Sequence, residues 1–243
     1  MNGEVNAGVR PVVGDERPVH RRVTGLLLVG AGGFARETAE AVRALNQVHP
    51  TWDLLGFLDD DRRRHGTVVS GLEVLGPVEA VHDHPAARVV LCVGRADNYR
   101  SRRRIAERLQ LDDERYATLI HPTATVGTTC RVGCGSVLLA HVDLTCDVVV
   151  GRHVAVMPQV ILTHDVRVGD WVTFGSGVRA GGGCQIKQGA YIGAGTSLRE
   201  NVTIGEGALV GMGSVVTRDV PSERLWYGTP ARDMGRAPMP AVA

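Results

Sequence analysis

Aromatic residues make up only 4% of this 243-residue chain, so its core cannot be built on large rings. Lysine is nearly absent: Lys187 stands alone among 27 basic residues, and no function follows from that skew. Neither sign of charge is in excess, because 27 bases meet 26 acids. A nucleic-acid or anionic-membrane partner would call for a clustered basic face. No segment approaches the roughly 18 apolar residues of a membrane span. Residues 20–28 have the outline of a twin-arginine leader. Their apolar run ends at Val29 and passes into Gly30-Ala31-Gly32-Gly33, too short for an export segment. Cysteine is sparse too. Five residues, an odd number, lack the spacing of a disulfide framework, and the lone Cys130–Cys134 pair has no second pair to complete a metal site. All five are expected to be reduced, small and hydrophobic, in a soluble cytoplasmic protein.

Glycine is plentiful, at 31 residues, beside 44% hydrophobic residues. Residues 1–25 mix proline, glycine and charge without periodicity and read as a flexible tail. From Leu26 the texture changes. The apolar run 26–29 has the character of a buried parallel strand. A Gly-rich turn follows, then residues 36–46, with Ala39, Val42 and Leu45 at helical spacing. Residues 54–58 and 88–93 read as further strands and 99–109 as a helix, so 26–115 forms a small parallel α/β domain. The turn Gly30-Ala31-Gly32-Gly33-Phe34-Ala35 lets backbone N–H groups meet phosphate at a helix N-terminus. Its spacing fits GxGxxA with Asp59 downstream, which keeps an NAD site and a purely structural turn open as readings.

Beyond His121-Pro122 an internal repeat of six dominates. Stepping by six from Val126 to Val216 meets sixteen apolar residues, all Val, Leu or Ile except Phe174 and Ala180. Four residues after each lies a small or β-branched residue, from Cys130 to Val220. This period fits a parallel β-solenoid in which each hexapeptide is one flat side and three sides close a coil. The sixteen hexapeptides then stack into a prism about 25 Å tall at strand spacing.

Residues 18 apart stack, which places Cys146, His164, Gly182 and Glu200 in one column. His164, two residues after the inward Leu162, faces outward beside Asp165. A histidine near neutral pKa suits a general base, and a neighbouring carboxylate can hold its tautomer. Gly182 beside it leaves room for a substrate group, and its N–H can meet an oxyanion. His141 and His153 sit at different coil positions from His164, so the three do not converge on zinc. No metal is expected, and both are expected to be solvent-facing turn residues. Arg102-Arg103-Arg104 is expected to fan apart as a solvated helix face.

The ordered segments LLLVGAGGFARE (26–37), LLGFLDDD (54–61), VVLCVGRADNYR (89–100), ATLIHPTATVG (117–127), LTHDVRVGD (162–170) and YGTPAR (227–232) resemble one family. It is the bacterial sugar acyltransferases that acetylate nucleotide-linked amino sugars or sialic acid, a group of the hexapeptide-repeat acyltransferases. The resemblance implies a left-handed β-helix, although the usual crossover rule favours the opposite hand. It also implies a Rossmann-like nucleotide-sugar domain at 26–115, the β-helix at 116–220, and a C-terminal extension at 221–243. The activity implied is acetyl transfer from acetyl-CoA to a nucleotide-linked amino sugar, in a homotrimer with the donor between subunits. By the same resemblance His164 is the base and Asp165 raises its basicity. Gly32, Gly33 and Phe34 lie near the sugar nucleotide, Asp59 and Asp60 on the nucleoside, and Gly94 beneath it. Backbone groups at Ala194 and Met212 hold the pantetheine arm. Thr173 stands where members often carry a second histidine against the donor, and Gly181-Gly182-Gly183 replaces an AGN-type turn. Two other functions stay open: O-acetylation of a sialic-acid-like or antibiotic sugar, and a non-catalytic nucleotide-sugar-binding trimer.

Overall fold

The computed structural model describes residues 23–238. The tail expected over 1–25 therefore lies almost wholly outside the described residues, as do residues 239–243. Strand β1 (Thr24–Val29) leads through the Gly-rich turn into helix α1 (Gly33–Val48) and back to β2 (Trp52–Leu58). The short hairpin β3 (Val68–Val69) and β4 (Leu72–Gly76) follows, then β5 (Arg88–Leu91) and helix α2 (Ser101–Leu109). The sheet order is β3-β4-β2-β1-β5, with β1 parallel to both β2 and β5. The three strands expected from apolar runs are its centre, and the β3–β4 hairpin extends it. β1 is central because Leu26, Leu27, Leu28 and Val29 are all fully buried, so both of its faces are covered.

From Thr125 the chain runs as two-residue strands every six residues, each pairing in parallel with the strand 18 residues on. Three sheets result: one of six strands, one of five, and an eight-stranded sheet that also takes in Leu119–Ile120 and the closing hairpin Arg224–Gly228 and Ala231–Arg236. The inward aliphatic residues from Leu138 to Val216 form one continuous buried cluster. Each buried Val, Leu or Ile contributes about 1.5–3 kcal/mol over an exposed one. The departures from Val, Leu and Ile, Phe174 and Ala180, sit on successive sides of one coil, a large chain beside a small one. Three residues after each inward aliphatic from Val132 to Val210, the chain turns the corner in the left-handed region, from φ 54° at His153 to 70° at Gly177.

The α/β domain docks on the eight-stranded face of the prism. Its core is shared there: Leu26, Ala35 and Val90 cluster with Leu119, Val137 and Leu139. Just before α2, Tyr99 donates its hydroxyl to the Gly207 carbonyl (2.8 Å), and Arg100 pairs with Glu223.

Candidate active site

Two features stand apart on the molecule. The first is a cavity of about 400 Å³ over the Gly-rich turn, lined by Gly30 to Phe34, Asp59, Asp61, Arg64, Cys92 to Arg95, Asn98 and Ser101. The turn is shaped by close packing at one glycine only. A side chain at Gly30 (φ +103°) would run into Val93 and the Cys92 carbonyl, whereas one at Gly32 or Gly33 would meet nothing within 4 Å. The space above Gly32 and Gly33 is open, and it faces the first turn of α1, which has no side-chain cap and no acidic residue. Uncapped N–H groups at a helix start favour an anion.

Asp59 tethers this turn: its Oδ2 accepts from the Ala31 N–H (2.8 Å) and its Oδ1 from the Asp61 N–H (2.9 Å). Asp60 does not line the cavity. Its Oδ1 takes the Val78 N–H and its Oδ2 takes Arg108, so Asp61 stands at the wall where Asp60 was expected. A bonded Arg63 guanidinium holds the Asp61 carboxyl at about 2. Cys92 is buried, and burial pushes its thiol up to about 12, so it stays protonated.

The second feature is the His164 corner, between the six- and five-stranded sheets. His164 is 62% exposed, and its Nδ1 lies 2.9 Å from Asp165 Oδ2. Donation from Nδ1 to the carboxylate leaves the Nε2 lone pair free for a proton. The imidazole lies against Gly182, where an added Cβ would clash with its Cε1 and Nε2. The room that Gly182 leaves is thus occupied by the catalytic candidate itself. Ala194 and Met212 stack at a different corner, between the eight- and six-stranded sheets, with Gly213 N–H donating to the Ala194 carbonyl (2.8 Å). Met212 is 79% exposed there. Within one chain, His164 and this edge lie on separate corners of the prism.

Three expectations are corrected. Thr173 is not presented to solvent: it is 4% exposed, under the α/β domain, and its Oγ1 accepts from Arg102 (2.7 Å). It stands behind Gly94, whose φ of +142° carries the backbone past the Arg102 guanidinium. Arg102 does not fan into water with Arg103 and Arg104. It is 2% exposed and donates to the carbonyls of Val93, His153, Trp171 and Val172. Burial without a carboxylate partner pulls its pKa down to about 10. The signal was present, since Arg102 shares the inward face of α2 with Ile105, Ala106 and Leu109 at helical spacing. His153 is no solvent histidine either. At 3% exposure it stacks on Trp171 (centroids 4.1 Å apart) and meets the Tyr116 ring edge-on. Burial first, and Arg152 second, lower its pKa to about 4, so it is neutral at physiological pH.

Fold and site together define a class: an α/β nucleotide-binding-type domain on a parallel β-helix with an exposed His-Asp corner. Comparison with known proteins narrows it. Residues 25–109 match the PglD N-terminal domain, and residues 183–218 match the bacterial transferase hexapeptide of six repeats. The acetyltransferase domain of PglB from Neisseria gonorrhoeae is 28% identical, with a TM-score of 0.76 over 86% of this chain and 99% of that one. PerB from Caulobacter crescentus, solved in complex with CoA and GDP-perosamine, is 27% identical with a TM-score of 0.76, over 88% of this chain and 99% of that one. A curated relative, the UDP-N-acetylbacillosamine N-acetyltransferase of Bacillus subtilis, is 32% identical over 118 residues. That match covers 46% of this chain, and the chain spans about half the length of the relative. The chain belongs to the hexapeptide-repeat sugar acyltransferases, and its prism is their left-handed β-helix.

Proposed function

We propose that this protein transfers an acetyl group from acetyl-CoA to the amino group of a nucleotide-linked amino sugar. One observation carries the reading most: an outward His164–Asp165 pair, with Nε2 free, in the same chain as an open anion cradle at Gly32 and Gly33. The relatives supply the chemistry, since PerB is seen with CoA and GDP-perosamine and the PglB domain with acetyl-CoA.

In this mechanism the nucleotide diphosphate sits over the N-terminus of α1, with Arg64 and Arg95 at the cavity wall. Gly32, Gly33, Phe34 and Gly94 line its path, while Asp59 serves by fixing the turn. The sugar amine attacks the thioester carbonyl carbon as His164 Nε2 removes its proton. The Gly182 N–H is the donor assigned to the tetrahedral oxygen. Collapse of the intermediate forms the amide and breaks the carbon–sulfur bond, and the proton passes from His164 to the CoA thiolate. Asp165 keeps the ring oriented and favours the transient imidazolium. Ala194 and Met212 line the pantetheine arm. Because they share no corner with His164, the complete site forms between two copies of the chain in a homotrimer. We place the reaction in the cytoplasm, in keeping with the five free cysteines.

The test is incubation with acetyl-CoA and a panel of UDP-, GDP- and dTDP-linked amino sugars, followed by product mass and CoA thiol release. An acetylated product stable to hydroxylamine is the amide expected. A hydroxylamine-labile ester would make the protein an O-acetyltransferase. Binding of the sugar nucleotide without thiol release would leave only a binding trimer.

A further inference from the structure

At the corner between the five- and eight-stranded sheets, the α/β domain meets the first coils of the prism. There a ring nitrogen of His153, the Cys134 sulfur and a carboxylate oxygen of Asp113 lie within 4.8 Å of one another. These three residues come from three places: Asp113 from the last turn before the prism, Cys134 from one coil, and His153 from the next. Sequence alone could not join them.

We propose that Asp113, Cys134 and His153 form a zinc site that fastens the α/β domain to the β-helix. The donor set is one thiolate, one imidazole and one carboxylate, each of which zinc accepts, with a fourth place for water. Zinc bonds of about 2.0–2.3 Å put tetrahedral ligand atoms roughly 3.5 Å apart. Side-chain rotations of about an ångström would close the present spacing.

An independent observation points the same way. Among the described residues, three buried side-chain polar atoms have no partner, and two are here: His153 Nδ1 and the hydroxyl of Tyr116, whose ring abuts His153. Buried polar groups are ordinarily satisfied, and orphans need an explanation. The ring is held in one orientation, stacked on Trp171 and packed against Gly135. The surrounding charges suit a dication. Arg152 bonds Asp113 Oδ2 (2.7 Å) and reaches Asp170, leaving Asp113 Oδ1 for the metal and orienting the carboxylate. Asp113, Asp170 and a Cys134 thiolate carry three negative charges against the two positive charges of Arg152 and Arg102, a net negative set that suits a cation. Arg102, the other nearby cation, spends its donors on carbonyls and on Thr173.

The test uses the full-length protein without an affinity tag, stripped of metal and titrated with zinc or cobalt. One equivalent of zinc per chain should survive gel filtration, and cobalt should give the near-ultraviolet band of a cobalt–thiolate bond. Zinc in hundredfold excess over its dissociation constant should raise Tm by about 5–10 °C. Cys134→Ser should abolish the band and the Tm rise while melting like the metal-free wild type, and Asp113→Asn should weaken zinc binding at least about tenfold. Failure of the wild type to retain zinc, or a cobalt–thiolate band that persists in Cys134→Ser, overturns the site. Neither result bears on acetyl transfer, which is read separately.

Discussion

At the scale of single residues, the account rests on His164 and the glycine beneath it. His164→Ala removes the proposed base at an exposed corner, so folding should be unchanged while kcat falls about 10²–10⁴-fold, measured by thiol release. Gly182→Ala is a sharper test, because its Cβ would occupy the space of the imidazole. It should lower kcat nearly as far as His164→Ala and leave both KM values close to normal. Unchanged kcat in Gly182→Ala would show that the observed ring position is not the working one. The stacking of His164 on Gly182 was legible from sequence because the period of 18 fixes which residues stack. His153 was not. Its coil position is the same as that of other corner residues, and nothing in a six-residue period says which corner another domain will cover.

At the scale of elements, the Gly-rich turn and α1 form one device and α2 another. Gly32→Val puts a branched side chain into space that is otherwise empty, so the apo fold should stand. Acceptor KM should rise at least about tenfold as the close backbone approach is blocked, with the KM for acetyl-CoA unchanged. An unaltered acceptor KM would move the sugar nucleotide elsewhere. On α2, Arg102→Met removes a buried guanidinium and strands the carbonyls it serves. Unfolding by urea should show a loss of about 2–4 kcal/mol, and a change under about 0.5 kcal/mol would mean the arginine is dispensable. The elements themselves were readable, since apolar runs and helical spacing locate β1, β2, β5 and both helices. Arg102 was misjudged because three consecutive arginines look like a charged surface, although the spacing to Ile105 and Leu109 places one of them inside. Asp60 and Asp61 could not be told apart, because an acidic run after a strand does not say which carboxylate turns toward the cavity and which toward Arg108.

At the scale of the molecule, the sixteen-fold repeat gives the prism outright, and what it cannot give is which edges work together. His164 lies on one corner and the Ala194–Met212 edge on another, so the proposed reaction needs a second chain to supply the missing edge. Light scattering should accordingly report about three times the 25.9 kDa of one chain. The decisive measurement is activity in mixed assemblies. Chains carrying His164→Ala are co-expressed in equal amount with chains carrying Ala194→Trp, which blocks the donor edge. Each variant alone should be nearly inactive. In random mixed trimers, half the corners keep the histidine and half the facing edges stay open, so about a quarter of the sites are whole. The account predicts acetyl transfer to a nucleotide-linked amino sugar at about a quarter of the wild-type rate. Mixed assemblies no more active than either variant alone would contradict it.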